Sequence, residues 1–261
     1  MLGTRKPNVP VVILQITDMH LHAAADSRMR GVTTYQTLLS VLEYVQRDER
    51  WPPDAIVATG DIVQDESRAG YERFRDTLEP LGVRVYCLPG NHDDPTLMSD
   101  VLIDPPFQVC GNDEAGNWSL HFLSSFTRGD DGGRVGAEAL SALDTALAAR
   151  PGRHALVALH HQPLPMGSAW LDGVGLRDAE EFLACIDAHD NVRCVLWGHV
   201  HQASDRERNG VRFLSTPSTC AQFLPYNDSF ALDVRPPGAR WLELHADGTI
   251  ESSVTWLESE S

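Results

Sequence analysis

The chain lacks the marks of a disulfide-stapled secreted domain. Its five cysteines, Cys87, Cys110, Cys185, Cys194 and Cys220, are odd in number, and none stands in CxxC spacing. Neither a disulfide framework nor a thiolate zinc site is encoded. Cys87, Cys185 and Cys194 lie in apolar runs and read as buried thiols of a reducing compartment. Positive charge is also scarce: 21 Lys and Arg against 37 Asp and Glu give a formal net charge of -16. That balance excludes a dedicated binder of nucleic acid polymers or anionic membranes, which would carry a basic patch or stripe. It leaves room for a small anionic substrate, because metal ions reverse the sign of the field inside a cleft. No apolar run is long enough to span a bilayer, and Val11–Ile16, behind Arg5 and Lys6, is too short for a signal-peptide core. The expectation is a cytoplasmic protein that makes no membrane contact.

What is present is a core's worth of apolar residues, 42% of a 261-residue chain. One α/β domain over 1–261 accommodates them. Short runs at Val11–Ile16, Ala55–Thr59, Val83–Leu88, Ala155–Leu159 and Arg193–Trp197 are closed by Gly, Pro or polar residues, as strands buried on both faces are. Helical spacing lies between several of them: Leu38, Leu42 and Val45; Tyr71, Phe74, Leu78 and Leu81; Leu140, Leu143 and Leu147; Ala179, Phe182, Leu183 and Ile186. Pro52-Pro53 and Pro80 are expected to stop the first two helices. After His201 the pattern becomes all-β. Val211–Ser215, Phe230–Val234, Arg240–His245 and Ile250–Trp256 are expected to extend the sheets antiparallel, with Asp247-Gly248 as a hairpin turn. Asp104–Gly133, rich in Gly and Pro, is expected to be a surface excursion near the site.

Five of the apolar runs end in metal-ligand residues: Asp18-Met19-His20, Gly60-Asp61, Gly90-Asn91-His92-Asp93, His160-His161 and Gly198-His199-Val200-His201. In an open α/β sheet, ligands bind beyond the carboxyl ends of the strands, so these residues are expected to converge. Singly, each motif has an ordinary reading as a turn or a surface histidine. All five in order, each after a strand, do not. Nitrogen and oxygen donors without thiolate suit Mn, Fe, Zn or Co. Two metals about 3.5–4 Å apart need a shared ligand, and Asp61, with two oxygens, is the natural bridge. Two dications held by Asp18, Asp61 and a bridging hydroxide keep one net positive charge, matched to a phosphodiester monoanion. Coordination makes that hydroxide available at neutral pH for in-line attack on phosphorus. His92, next to Asn91, is the candidate to supply the proton or hydrogen bond that the leaving alkoxide needs. His161 stands between a site-facing and a structural role. His22, His121, His154, His189 and His245 fit no motif and are assigned ordinary surface or core roles.

This pattern resembles the calcineurin-like metallophosphoesterase superfamily. Thr59–Asp65, Leu88–Asp93, His160–Pro165, Ser168–Asp172 and Ser215–Cys220 are similar to its bacterial class III cyclic-nucleotide phosphodiesterases. The resemblance runs from about Val11 to the final hairpin. It implies a four-layer αββα sandwich, two mixed sheets flanked by helices, around a dinuclear centre of iron and/or manganese. Carried over by motif, Asp18, His20, Asp61 and His201 would hold the first ion, and Asp61, Asn91, His160 and His199 the second. Asn91, His92 and His201 would border the substrate, a cyclic nucleotide or other small phosphodiester. Hydrolysis of 3′,5′-cyclic AMP is the leading expectation. A broader phosphodiesterase acting on 2′,3′-cyclic nucleotides or glycerophosphodiesters is the alternative. The complete ligand set speaks against a metal-free scaffold. Segment Ser125–Gly133 fits no family pattern and is expected near the substrate. Assembly as a homodimer stays open.

Overall fold

The computed structural model describes residues 9–258. Its strands of three or more residues, in chain order, are β1 (Val11–Ile16), β2 (Ala55–Ala58), β3 (Arg84–Cys87), β4 (Phe107–Val109), β5 (Gly111–Ala115), β6 (Trp118–Phe122), β7 (His154–Ala158), β8 (Val192–Trp197), β9 (Ser204–Arg208), β10 (Val211–Ser215), β11 (Gly238–Leu244) and β12 (Ile250–Trp256). They form two six-stranded sheets, in the orders β12-β11-β1-β2-β3-β4 and β9-β10-β8-β7-β6-β5. In each sheet four neighbouring strands run parallel, and antiparallel strands lie outside them.

Three apolar layers follow from this. Ile13, Val57 and Tyr86 of the first sheet meet Leu120, Leu156 and Leu196 of the second, and Tyr86 stacks on Phe122 at 4.2 Å. The alternate residues of the parallel strands face outward under helices, which is why these strands are apolar throughout rather than alternating. Helices α1 (Thr34–Val45), α2 (Arg68–Leu78) and α3 (Pro95–Val101) cover the first sheet. Helices α4 (Ala137–Ala148), α5 (Ala169–Asp172) and α6 (Ala179–Asp187) cover the second. The four layers are therefore helix, sheet, sheet, helix. Local chemistry sets several helix ends. Ser67 accepts from the Gly70 amide to start α2, and Asp94, before Pro95, accepts from the amides of Thr96 and Leu97 to start α3.

Four expectations need correction. Helix α1 ends at Val45, well before Pro52, because the Asp48 carboxylate accepts from the Arg50 amide and side chain and fixes a local turn. The Asp104–Gly133 stretch is no surface excursion over 107–122: it supplies β4, β5 and β6, with Trp118, Leu120 and Phe122 buried. Strand β10 pairs parallel with β8, because β9 precedes it through an Asn209-Gly210 turn and takes the outer antiparallel place. Of Phe230–Val234 only Leu232–Asp233 is strand, paired with Gln222–Phe223, because the Phe230 ring packs instead against Trp170 and Phe223. The five cysteines are free thiols. Among the described residues no helix is long and apolar enough to cross a membrane.

Candidate metal centre

The carboxyl ends of β1, β2, β3, β7 and β8 open at one edge of the sandwich, and the five motifs lie there. Backbone bonds lock the loops together: Asp18 N donates to Gly60 O at 3.0 Å, His20 N to Asp61 O at 2.9 Å and Gly198 N to His160 O at 3.1 Å. Gln15 crosses between the sheets, donating to Thr59 Oγ1 and to Trp197 O. Asp18, His20, Asp61, His199 and His201 all have φ between +47° and +64°. Such conformations cost non-glycine residues on the order of 1–3 kcal/mol each and persist where surroundings over-determine them. Here they turn five side chains toward one point.

The residues converge as two overlapping sets. In one, His20 Nε2 lies 3.1 Å from His201 Nε2, and His201 Nε2 lies 3.4 Å from Asp18 Oδ1. In the other, His160 Nε2 lies 3.2 Å from Asn91 Oδ1, and the His160 and His199 rings meet at 5.0 Å. Asp61 touches both: Oδ1 is 3.5 Å from His160 Nε2, and Oδ2 is 3.7 Å from His20 Nε2. Every one of these groups except Asn91 is buried.

Hydrogen bonding fixes which nitrogens face inward. His160 Nδ1 donates to Thr59 O at 2.7 Å, and His201 Nδ1 donates to Ala221 O at 2.6 Å. A carbonyl only accepts, so each neutral ring presents a lone pair on Nε2, the arrangement that second-sphere partners give metal-binding histidines. His199 Nε2 and His20 Nδ1 are buried without a partner.

Burial alone would raise the Asp18 and Asp61 carboxyls, yet the neighbouring imidazoles, His201 beside Asp18 and His160 beside Asp61, hold both below the usual range. Burial pushes His20 and His199 down to about 3, keeping them neutral and able to donate lone pairs. Against its own burial, His160 sits at about 9 because Asp61 and Asp18 surround it with negative charge, so at neutral pH its Nε2 lone pair becomes available only as a cation displaces the proton held there. Two buried carboxylates and converging lone pairs form a site that a divalent cation suits.

His92 lines the cleft: its amide donates to Asp61 Oδ1 at 3.0 Å, and Gln64 Nε2 donates to its Nδ1 at 3.1 Å. That leaves its Nε2 to carry the proton. His161 is buried behind the cleft, its Nδ1 2.8 Å from Ser125 Oγ and its ring packed on His160 and His199. Asp131, from the segment expected near the substrate, lines the cleft.

Further residues line the cleft without belonging to the five motifs: His22, assigned an ordinary role, Arg30 and Phe230, together with Gln64 and Trp170 from the family-like segments Thr59–Asp65 and Ser168–Asp172. Asp93 is a buried clamp: it accepts from the amides of Gly90, Ile62 and Val63 and from the Tyr71 hydroxyl, joining the second and third motif loops. Only its place in the third motif hints at that. Ser218 Oγ donates to Asp18 O at 2.7 Å and braces the first loop.

The motif glycines are spacers. A Cβ on Gly90 would collide with Asp61 Oδ1 and lie 2.5 Å from the Asp61 nitrogen and 2.7 Å from His160 Cε1. Gly90→Ala is expected to cost about 1–3 kcal/mol, a fall of roughly 2–12 °C in Tm, with loss of bound metal. Thermal unfolding and metal analysis of the purified variant check this; wild-type values for both would mean that the loops yield freely.

Comparisons with known proteins agree with this geometry. Residues 11–203 match the calcineurin-like phosphoesterase family. The chain is 42% identical over 255 residues to the 3′,5′-cyclic adenosine monophosphate phosphodiesterase CpdA of Vibrio vulnificus, covering 96% of this chain and 92% of that one. It is 42% identical over 248 residues to the protein of the same name from Escherichia coli K12, covering 94% and 89%. Among solved structures, a dimetal phosphatase from Danio rerio superposes with a TM-score of 0.64 at 16% identity, over 95% of this chain and all of that one. With the family pattern matched over most of its length and its motif residues gathered at one cleft, this chain belongs to the calcineurin-like phosphoesterase family.

Proposed function

We propose that the protein is a dinuclear-metal phosphodiesterase that hydrolyses 3′,5′-cyclic AMP to 5′-AMP. The observation that carries the two-ion reading is Asp61, whose two oxygens face His160 and His20 respectively. The substrate is supported by the 42% identity, over nearly the full length, to relatives that bear that activity in their names. In this reading Asp18, His20, Asp61 and His201 hold one divalent ion, and Asp61, Asn91, His160 and His199 hold the other. Iron or manganese suits the mixed nitrogen and oxygen donors, and zinc or cobalt is compatible.

When bound, the metal pair lowers the pKa of water to about 7 and draws charge from the phosphoryl oxygens. The chain's own groups supply orientation and proton transfer. Thr59 and Ala221 hold His160 and His201 with Nε2 inward. The Asp93 clamp holds the Asp61 and Asn91 loops at fixed separation. His92, its Nδ1 engaged by Gln64, offers the Nε2 proton to the departing alkoxide.

Product analysis of Mn²⁺-loaded protein tests the assignment. Preferred conversion of 3′,5′-cyclic AMP to 5′-AMP, over 2′,3′-cyclic AMP and bis(p-nitrophenyl) phosphate, is the expected result. Rapid cleavage of the nitrophenyl diester with little of 3′,5′-cyclic AMP would move the function to a broader phosphodiesterase.

A further inference from the structure

The cleft, about 590 Å³, is larger and less polar than a phosphate group requires. Volumes of roughly 300–1,000 Å³ with an apolar wall are typical of sites that enclose whole small molecules. The apolar wall here is made by Trp170 from α5 and by Phe223 and Phe230 from the segment after the last motif. Each pair of these rings meets edge to face at 5.3 Å. Phe223 also stacks on the His201 imidazole at 3.9 Å with the planes 11° apart. The aromatic set therefore begins one ring-thickness from the charged floor.

A second element meets the same wall. Arg30 and Gly31, both at positive φ, turn a short hairpin between Arg28–Met29 and Val32–Thr33. From it the Arg30 guanidinium lies 4.4 Å over the Phe230 ring, and Arg28 and Met29 also line the cleft. Phe230 is 41% exposed. Rings shared between a charged floor and solvent match an amphipathic ligand with an anionic end and a flat apolar end.

We propose that Trp170, Phe223 and Phe230, with Arg30 packed on Phe230, form the wall on which the nucleobase of the substrate stacks while its phosphate lies over the Asp and His floor. This rests on the phosphodiesterase reading above and adds the residues that select a nucleoside cyclic phosphate over a base-free diester. Stacking on an aromatic side chain is sequence-tolerant because every base has a π-face. The wall therefore distinguishes a substrate with a base from one without, rather than one base from another.

The test compares kcat/KM for 3′,5′-cyclic AMP with kcat/KM for the 3′,5′-cyclic phosphate of 1-deoxyribose, which has no base. Trp170→Leu and Phe230→Leu are each expected to lower the ratio of the two by about 5- to 100-fold, mainly through KM for cyclic AMP. The exposed Phe230 position guards against a folding defect, since its replacement leaves the core untouched. A ratio unchanged in both variants, with the wild type active on cyclic AMP, overturns the stacking wall alone. Cleavage of the base-free ester without turnover of cyclic AMP by the wild type overturns the activity reading, and the wall with it.

Discussion

Asp61→Ala is expected to lower kcat/KM for 3′,5′-cyclic AMP by on the order of 10³-fold or more, since metal ions contribute several kcal/mol to phosphoryl chemistry. Asp61 is the side chain placed to serve both sets. Oδ1 is 3.5 Å from His160 Nε2 and accepts the His92 amide, and Oδ2 is 3.7 Å from His20 Nε2. Its removal takes away the shared donor and half of the buried negative charge that Asp18 and Asp61 provide together. Asp61→Asn keeps an oxygen that can still accept from the His92 amide but loses that charge. It is expected to retain the loop geometry and still bind metal poorly. Kinetics run beside metal analysis and circular dichroism separate these effects. A folded Asp61→Ala protein with wild-type metal content and turnover would remove Asp61 as the shared ligand.

That centre is legible in the sequence because each of its residues follows a buried strand within a few positions. Val11–Ile16 leads to Asp18, Ala55–Ala58 to Asp61, His154–Ala158 to His160 and Val192–Trp197 to His199. Uniformly apolar strands announce burial on both faces, and parallel strands share one carboxyl edge, so convergence follows from topology. Other elements have no such signature. Ser204–Arg208 and Gly111–Ala115 are outer strands made largely of polar residues, so hydrophobic periodicity is silent about them. The Asn209-Gly210 turn is the one available sign of the first. Trp170, Phe223 and Phe230 come from distant parts of the chain, and only tertiary packing makes them one wall. The Asp93 clamp is hidden for another reason. Its value lies in backbone amides from two loops, and backbone geometry is not written in side-chain identity. Left-handed backbone at Asp18, His20, Asp61, His199 and His201 is hidden in the same way.

His92→Ala is expected to leave bound metal in place while slowing hydrolysis of 3′,5′-cyclic AMP by roughly 10²–10⁴-fold, the usual contribution of a positioned general acid. Geometry gives His92 a choice of roles. Its imidazole lies at the edge of the His20 ring, 5.2 Å between centroids, and one of its ring nitrogens comes within 4.8 Å of donor atoms of His20 and Asp61. The Gln64 contact decides against a ligand: Nε2 of the amide donates to Nδ1, so the remaining nitrogen carries a proton and cannot offer a lone pair in the same tautomer. Acting as a strong acid takes the imidazolium, in which Nδ1 donates and the Gln64 amide turns to present Oε1, an oxygen otherwise buried without a partner. A proton donor matters in proportion to the basicity of what leaves. The ribose alkoxide of a cyclic nucleotide needs it, whereas nitrophenolate departs without help. The loss on bis(p-nitrophenyl) phosphate should therefore be much smaller than the loss on cyclic AMP. Equal losses on both substrates with full metal content would make His92 an orienting group for the phosphate. Loss of one metal equivalent would make it a ligand, and the Gln64 contact would then have to break on loading.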